Sequence, residues 1–350
     1  MLKQLKIENF TVFAKADFEF SPGLNVIVGE NGTGKSHVLK LAYAMIAESN
    51  KQGKTTDIKE IRKPLLQRDY AQKLINVFRM KRIDDLKRRQ VEKIDGGFML
   101  PPPWKVSFFF NEPDLNCVFV DPSVNHQSIQ INQLPKQWVK TKAIFMPTRE
   151  LLTIYPGFVS LYEGRYLEFD ETYYDICLLL GEPPLKKPMT DLLDILENAM
   201  GGKVVLEGGR FYLVSDLGKT EMPLVAEGIR KLAMLAQLIA VGALQNDGYL
   251  FWDEPEANLN PRLVRVIARV ILQLAKAGIQ VFIATHSYFL LKELDILAME
   301  QPIPTRYFSL LKGEDGVVVE SGDSLDDLQT IVALDEELAQ FDREQDAHHA

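Results

Sequence analysis

Polar and apolar residues alternate over the first ten positions, MLKQLKIENF. Runs rich in β-branched and aromatic residues, bounded by turn formers, recur at 5–7, 12–20, 24–28, 105–110, 117–120, 128–131 and 143–146. These predict a strand-rich N-terminal half arranged as an antiparallel layer. From 151 to 200 the period becomes helical, punctuated by Pro156, Pro183, Pro184 and Pro188. A Gly208-Gly209 turn then joins 204–206 to 211–214 as a hairpin. Past Pro223 the pattern reads helix (227–241), strand (249–252), helix (261–276), strand (280–284), helix (288–294), an alternation that builds a parallel sheet. Two strands near 307–311 and 317–320 and an acidic helix from about Ser324 close the chain. No internal repeat or low-complexity tract is found.

The 350 residues are 46% apolar, with 40 Lys plus Arg against 48 Asp plus Glu. That is globular composition, long enough for one large or two modest domains, and it excludes disordered and fibrous classes. The charge is uneven: residues 51–93 carry 14 basic and 6 acidic side chains, a local +8 that leaves −16 elsewhere. Apolar positions such as Leu65, Leu66, Leu74, Ile75, Val77 and Phe78 suit amphipathic helices there. The segment therefore reads as an inserted helical arm, either a solvated helix pair or a surface for nucleic acid or an acidic partner. Cys117 and Cys177 have no CxxC partner, so neither a disulfide framework nor a cysteine zinc site is expected, and a reducing compartment fits. The longest apolar stretch, 232–244, includes Gln237 and Gly242 and falls short of the ~20 residues that cross a bilayer. With no signal-peptide pattern at the start, a cytoplasmic protein is expected.

Gly29-Glu30-Asn31-Gly32-Thr33-Gly34-Lys35-Ser36 fits G-x-x-x-x-G-K-[ST] between an apolar strand and a helical run. Glycines let the backbone amides turn inward at a helix N-terminus, a concave donor surface suited to a triphosphate. Glu30, Asn31, Gly32, Thr33, Gly34, Lys35, Ser36 and the following His37 are the expected nucleotide contacts. Lys35 would bridge the β- and γ-phosphates and Ser36 would ligate magnesium. A second element, Tyr249-Leu250-Phe251-Trp252-Asp253-Glu254-Pro255, is an apolar strand ending in two carboxylates. Asp253 is placed in the metal shell and Glu254 as general base or water-positioning group. A third strand ends in Ala284-Thr285-His286-Ser287, with His286 facing the γ-phosphate. Phe10 and Phe13 are candidates for stacking on the base, or are core residues. His126, His348 and His349 show no ligand spacing.

These elements in this order resemble ATP-binding-cassette (ABC) ATPases. The resemblance implies a fold of the α/β class, a P-loop NTPase of ABC type with a mixed core sheet, an antiparallel β subdomain and an inserted helical arm. It implies a signature loop before the acidic strand, and Val225-Ala226-Glu227-Gly228-Ile229-Arg230-Lys231 is a degenerate match. Ala226 stands where the family has serine, while Gly228 and Arg230 remain as nucleotide contacts. In that family two subunits face head to tail with ATP between them, implying a homodimer or higher oligomer and ATP with Mg2+ as cofactors. The loop Glu256-Ala257-Asn258-Leu259-Asn260-Pro261 matches the connector between the two sites. The family's metal-shell glutamine is replaced by Pro147-Thr148-Arg149-Glu150.

"LKIENFTVF", "VGENGTGKS", "AEGIRKL" and "DEPEANLNP" look like the RecF, Rad50 and OLD (overcoming-lysogenisation-defect) branch, and resemble stand-alone antiphage-defence ATPases of the OLD, Septu and PARIS type. The implied division is 1–50 ATPase lobe, 51–100 basic arm, 101–150 β subdomain, 151–222 helical lobe and hairpin, 223–322 second ATPase lobe, and 323–350 acidic tail. The implied function is an ATPase acting as sensor or scaffold for a separate nuclease effector of TOPRIM or HNH type, since OLD proteins continue into a nuclease domain and this sequence ends at Ala350. The alternatives are a RecF- or Rad50-like repair ATPase with DNA along 51–93, and a nonhydrolytic module in which ATP cements a dimer.

Overall fold

Burial alternates along β1 (Leu2–Phe10) and β2 (Phe13–Glu19), which pair as an antiparallel hairpin with one covered face. In β3 (Leu24–Gly29) burial is almost unbroken, as in a strand covered on both faces. The computed structural model describes residues 1–88, 102–121, 128–164, 167–245 and 247–349. After β3 the chain enters α1 (Lys35–Thr55) and α2 (Lys63–Phe78), then β4 (Lys105–Phe110), β5 (Cys117–Val120), β6 (Gln130–Gln133) and β7 (Ala143–Met146). A helical lobe follows: α3 (Phe158–Glu163), α4 (Glu171–Leu180) and α5 (Thr190–Met200), with a meander of β8 (Lys203–Glu207), β9 (Arg210–Ser215) and β10 (Gly218–Glu221). The remainder is α6 (Glu227–Ala240), β11 (Gly248–Asp253), α7 (Pro261–Lys276), β12 (Ile279–Thr285), α8 (Tyr288–Glu300), the hairpin β13 (Thr305–Gly313) and β14 (Gly316–Gly322), and α9 (Val332–His349).

The central sheet is ordered β14-β13-β3-β12-β11-β7, parallel except for the edge strand β14. Its period-2 geometry sends alternate side chains to two cores. Val26, Leu250, Trp252, Val281 and Ile283 join α6, α7 and α8 on one face. Ile27, Phe251, Phe282, Ala284 and Phe308 face α1 and the second sheet. That second sheet is antiparallel, ordered β2-β1-β4-β5-β6, so α1 is sandwiched between two sheets. This is the mixed α/β fold of an ABC-type P-loop ATPase, with its antiparallel subdomain.

Several boundaries differ from expectation. The runs 24–28 and 143–146 join the central sheet as β3 and β7, not the antiparallel layer; their side chains are buried on both faces, which only the sandwiched sheet can provide. The strand expected at 128–131 lies at Gln130–Gln133. The terminal helix begins at Val332, because Ser324–Asp327 closes a capped 3₁₀ turn and Leu325, Leu328 and Ile331 return to the core. Within 51–93 the described part holds the end of α1, the expected helix as α2 and two 3₁₀ turns at 58–60 and 83–86, with Lys87 bridged to Phe10, so the segment continues the helix of the phosphate loop; residues 89–93 lie outside the described residues, as does His126. α2 is seated on the body of the protein. Leu66, Tyr70, Ala71, Leu74 and Val77, one stripe of an amphipathic helix, are buried against the same core as α1. Lys73 is buried with them, 3.0 Å from Glu171 and 2.7 Å from Asp175 on α4. Its neighbours Lys51, Lys54, Lys59, Arg62, Lys63 and Arg68 stay exposed.

Candidate nucleotide site

Strand register brings the site together. β12 lies between β3 and β11, pairing Thr285 with Val28 and Ala284 with Asp253, so three C-terminal strand ends meet at one sheet edge. The phosphate loop leaves from the first, Asp253-Glu254 from the second and His286 from the third. Gly29, Gly32 and Gly34 have φ of 151°, 83° and 89°, the last two in the left-handed region where only glycine is unstrained. Lys35 is buried, and its Nζ donates to the carbonyls of Gly29 (2.7 Å) and Glu30 (2.9 Å). Burial lowers its pKa, against the opposing pull of Glu254, Asp253, Glu256 and Glu30. Thr33 Oγ1 donates to the Glu30 carbonyl at 2.9 Å, and the Glu30 carboxylate pairs with Lys312. Asn31 and Gly32 are exposed at the tip of the loop.

Asp253 is pushed to a raised pKa by burial; the neighbouring Ser36 hydroxyl pulls the other way. Glu254 follows with φ 47°, a left-handed conformation costing about 1–2 kcal/mol in a non-glycine residue. Its amide donates to Ala284 O at 2.8 Å and its carboxylate lies 3.3 Å from His286 Nδ1. The structure thus brings Lys35, Ser36, Asp253, Glu254 and His286 to one edge. Glu256 adds a third carboxylate that the motifs did not single out. It is buried and accepts from Thr285 Oγ1 at 2.6 Å, 4.0 Å from His286 Nδ1.

Beside Gly32 opens a cleft of about 610 Å³, lined among others by Thr11, Val12, His37, Arg88, Lys312 and Gly313. His37 Nδ1 and Thr11 Oγ1 are buried without a hydrogen-bond partner among the described residues. Burial lowers the His37 pKa, with Lys40 adding to the effect, and its ring sits 5.7 Å from that of Phe78. Phe10 and Phe13 are fully buried, Phe10 edge-on to Phe78 and Trp104 and Phe13 to Phe18. They are core residues and cannot stack on a base.

The signature-like segment packs against the loop that follows Glu254. α6 starts at Glu227 with Ala226 at its N-cap and no side chain capping its first amides. Gly228 is buried against the loop after Glu254, where a Cβ would stand 3.0 Å from Asn258 O. Arg230 Nε lies 2.9 Å from Glu150 Oε1, and its Nη1 donates to Val225 O. Glu150, at the end of the stretch that stands where the family has its glutamine, itself accepts from the Leu152 and Thr153 amides and so faces α6. Lys231 is 2% exposed, and burial lowers its pKa to about 8.

The fold is that of an ABC-type P-loop ATPase. The chain belongs to the RecF/RecN/SMC N-terminal domain family, whose model matches residues 1–300, a family of ATP-binding ATPases. The DNA replication and repair protein RecF of Streptococcus uberis is 45% identical over 42 residues, which is 12% of this chain and 12% of that protein. Among solved structures, the SMC head domain from Thermotoga maritima superposes with a TM-score of 0.51 at 14% identity, covering 91% of this chain and 98% of that one. An SMC head bound to the C-terminal winged-helix domain of ScpA gives 0.53 at 14%, covering 93% and 98%. An SMC head with an extended coiled coil, bound to the C-terminal domain of ScpA derived from Pyrococcus furiosus, gives 0.52 at 13%, covering 98% and 99%. At these identities the likeness is one of fold. Among the described residues no helix is long and apolar enough to cross a membrane.

Proposed function

We propose that this chain binds ATP with magnesium and hydrolyses it, two copies closing head to tail around the nucleotides. One observation carries the reading: the register of β3, β12 and β11 brings the phosphate loop with Lys35 and Ser36, the Asp253-Glu254 pair and His286 to one sheet edge, where the Glu254 carboxylate lies 3.3 Å from His286 Nδ1. One hydroxyl, Ser36, and one carboxylate, Asp253, suit Mg2+, which takes few protein ligands beside phosphate oxygens and water. Among the described residues no group of three or more His, Cys, Asp or Glu could hold a metal by itself, so the remaining ligands would come from phosphate and solvent. The ion would neutralise charge on the β- and γ-oxygens. Lys35 would exchange its two carbonyls for phosphate oxygens. Glu254 takes the proton of the attacking water, and His286 holds that carboxylate in place. The base and ribose are assigned to the cleft beside Gly32, where His37 and Thr11 offer unsatisfied polar atoms. The uncapped α6 N-terminus, with Gly228, is assigned to the nucleotide of the other copy; Arg230 would first have to leave Glu150.

Glu254→Gln tests this. It should bind ATP as the wild type does, by calorimetry, lose turnover by ~10²–10⁴-fold, and accumulate an ATP-dependent dimer in light scattering. Wild-type turnover in this variant, or no uptake of Mg-ATP by either protein, refutes the reading.

Downstream of ATP, the motif style of "AEGIRKL" and "DEPEANLNP" supports a sensor or scaffold whose nucleotide state controls a separate TOPRIM- or HNH-type nuclease in antiphage defence. Failure to form a nucleotide-dependent assembly with the product of a neighbouring gene counts against it. The exposed Lys51, Lys54, Lys59, Arg62, Lys63 and Arg68, and the RecF relative, favour a second reading in which DNA lies along this face. Its affinity should then fall steeply with salt; a flat response removes it.

A further inference from the structure

Lys231 lies in the second turn of α6 and is almost wholly buried. Its Nζ donates to two backbone carbonyls of the loop after β11, Glu254 O at 2.9 Å and Ala257 O at 3.1 Å. Both peptides adjoin strained backbone: Glu254 has φ 47° and Asn258, after Ala257, has φ 63°. Two non-glycine residues in the left-handed region within five positions persist only where the surroundings over-determine them. A cation locked on their carbonyls does that. The field of Glu254, Glu256, Glu227 and Asp253 favours the ammonium there against the penalty of burial. The same helix also grips the loop where Asn258 Nδ2 donates to Glu227 Oε1 at 2.8 Å and where Gly228 abuts Asn258 O. Without Lys231, the Glu254 carbonyl loses the tie that links it to α6.

We propose that Lys231 is a positioning residue for hydrolysis: by holding the Glu254 and Ala257 carbonyls it fixes the carboxylate of Glu254 and couples that placement to the signature helix. This rests on the reading of Glu254 as the base. A misplacement of about 1 Å at a reacting group costs on the order of 10²-fold in rate.

The test compares Lys231→Met and Lys231→Gln, each alone and with Glu254→Gln, in ATP turnover and in calorimetric binding of Mg-ATP to the full chain. Expected is a fall in kcat of roughly 10- to 100-fold, with KM and ATP affinity held within about twofold. In the Glu254→Gln background, loss of Lys231 should slow the residual rate no further, because both act through one carboxylate. If Lys231→Met fails to fold by thermal melting, Lys231→Gln, which keeps an amide donor, carries the comparison. Wild-type kcat in a folded Lys231 variant, while Glu254→Gln is inactive, overturns this inference and leaves the base in place. Wild-type turnover in Glu254→Gln removes both. Equal losses in kcat and affinity, additive losses in the double variant, or failure of both single variants to fold also overturn it, since Lys231 is then a residue of the core or of the nucleotide contact.

Discussion

Replacing Gly34 and Gly32 separately by alanine separates backbone strain from packing in the phosphate loop. Both glycines sit at left-handed φ, 89° and 83°, so each substitution carries the same penalty of about 1–2 kcal/mol. The same reduction of unfolded-chain freedom, roughly 0.4–1 kcal/mol, offsets part of it. Their surroundings differ. A Cβ at Gly32 meets nothing within 4 Å, whereas at Gly34 it would stand 2.7 Å from Val12 Cγ2 and 2.8 and 2.9 Å from the Phe13 ring. Phe13 is fully buried and Val12 is stiff at its branch point, so neither swings aside cheaply. Overpacking of this kind costs about 1–3 kcal/mol. Gly34→Ala should therefore be less stable than Gly32→Ala by about 1–3 kcal/mol in urea titrations without nucleotide, with unchanged m values. Equal midpoints, or a less stable Gly32→Ala, would show that the loop does not press on β2 as described.

Lys73→Met should cost about 3 kcal/mol in the same titration, because it strips the cation from Glu171 and Asp175 between α2 and α4; a change under 1 kcal/mol would make the contact incidental, as ~0–1 kcal/mol is the value of an exposed pair. Burial lowers Lys231 to about 8, while the unfolded chain keeps its lysines near ~10.4. Between these values the unfolded state binds more protons, so the burial penalty is complete below pH 8 and fades as pH rises toward ~10.4. The stability of the wild type relative to Lys231→Met should accordingly rise by about 3 kcal/mol across that window; a pH-independent difference contradicts the burial described.

The phosphate loop, the acidic strand end and the late histidine were legible because each is a local motif following a strand, and parallel strands release their ends on one edge. Sheet membership was not. β3 and β7 read like their antiparallel neighbours, and only the distant partners Val281, Thr305 and Tyr249 assign them to the central sheet. In 51–93, charge suggested a free-standing module, yet Leu66, Leu74 and Val77 fall on one buried stripe. Lys231 and Glu256 were hidden for a related reason: both carry charges that sequence pattern assigns to the surface. Their burial depends on backbone carbonyls and on Thr285, brought near by tertiary structure. Phe10 and Phe13 failed as base contacts because a strand's aromatic residues fill its covered face first.

Lys35 occupies itself in this structure, its ammonium spent on the carbonyls of its own loop. On the proposed reading, an incoming polyphosphate would have to displace those two internal acceptors, so part of its attraction would go into an exchange and not into net affinity. The reverse would also hold: as the nucleotide departed, the lysine would have a place to return to. On that reading, release would leave no bare charge inside the protein, because the Gly29 and Glu30 carbonyls stand ready to take the ammonium.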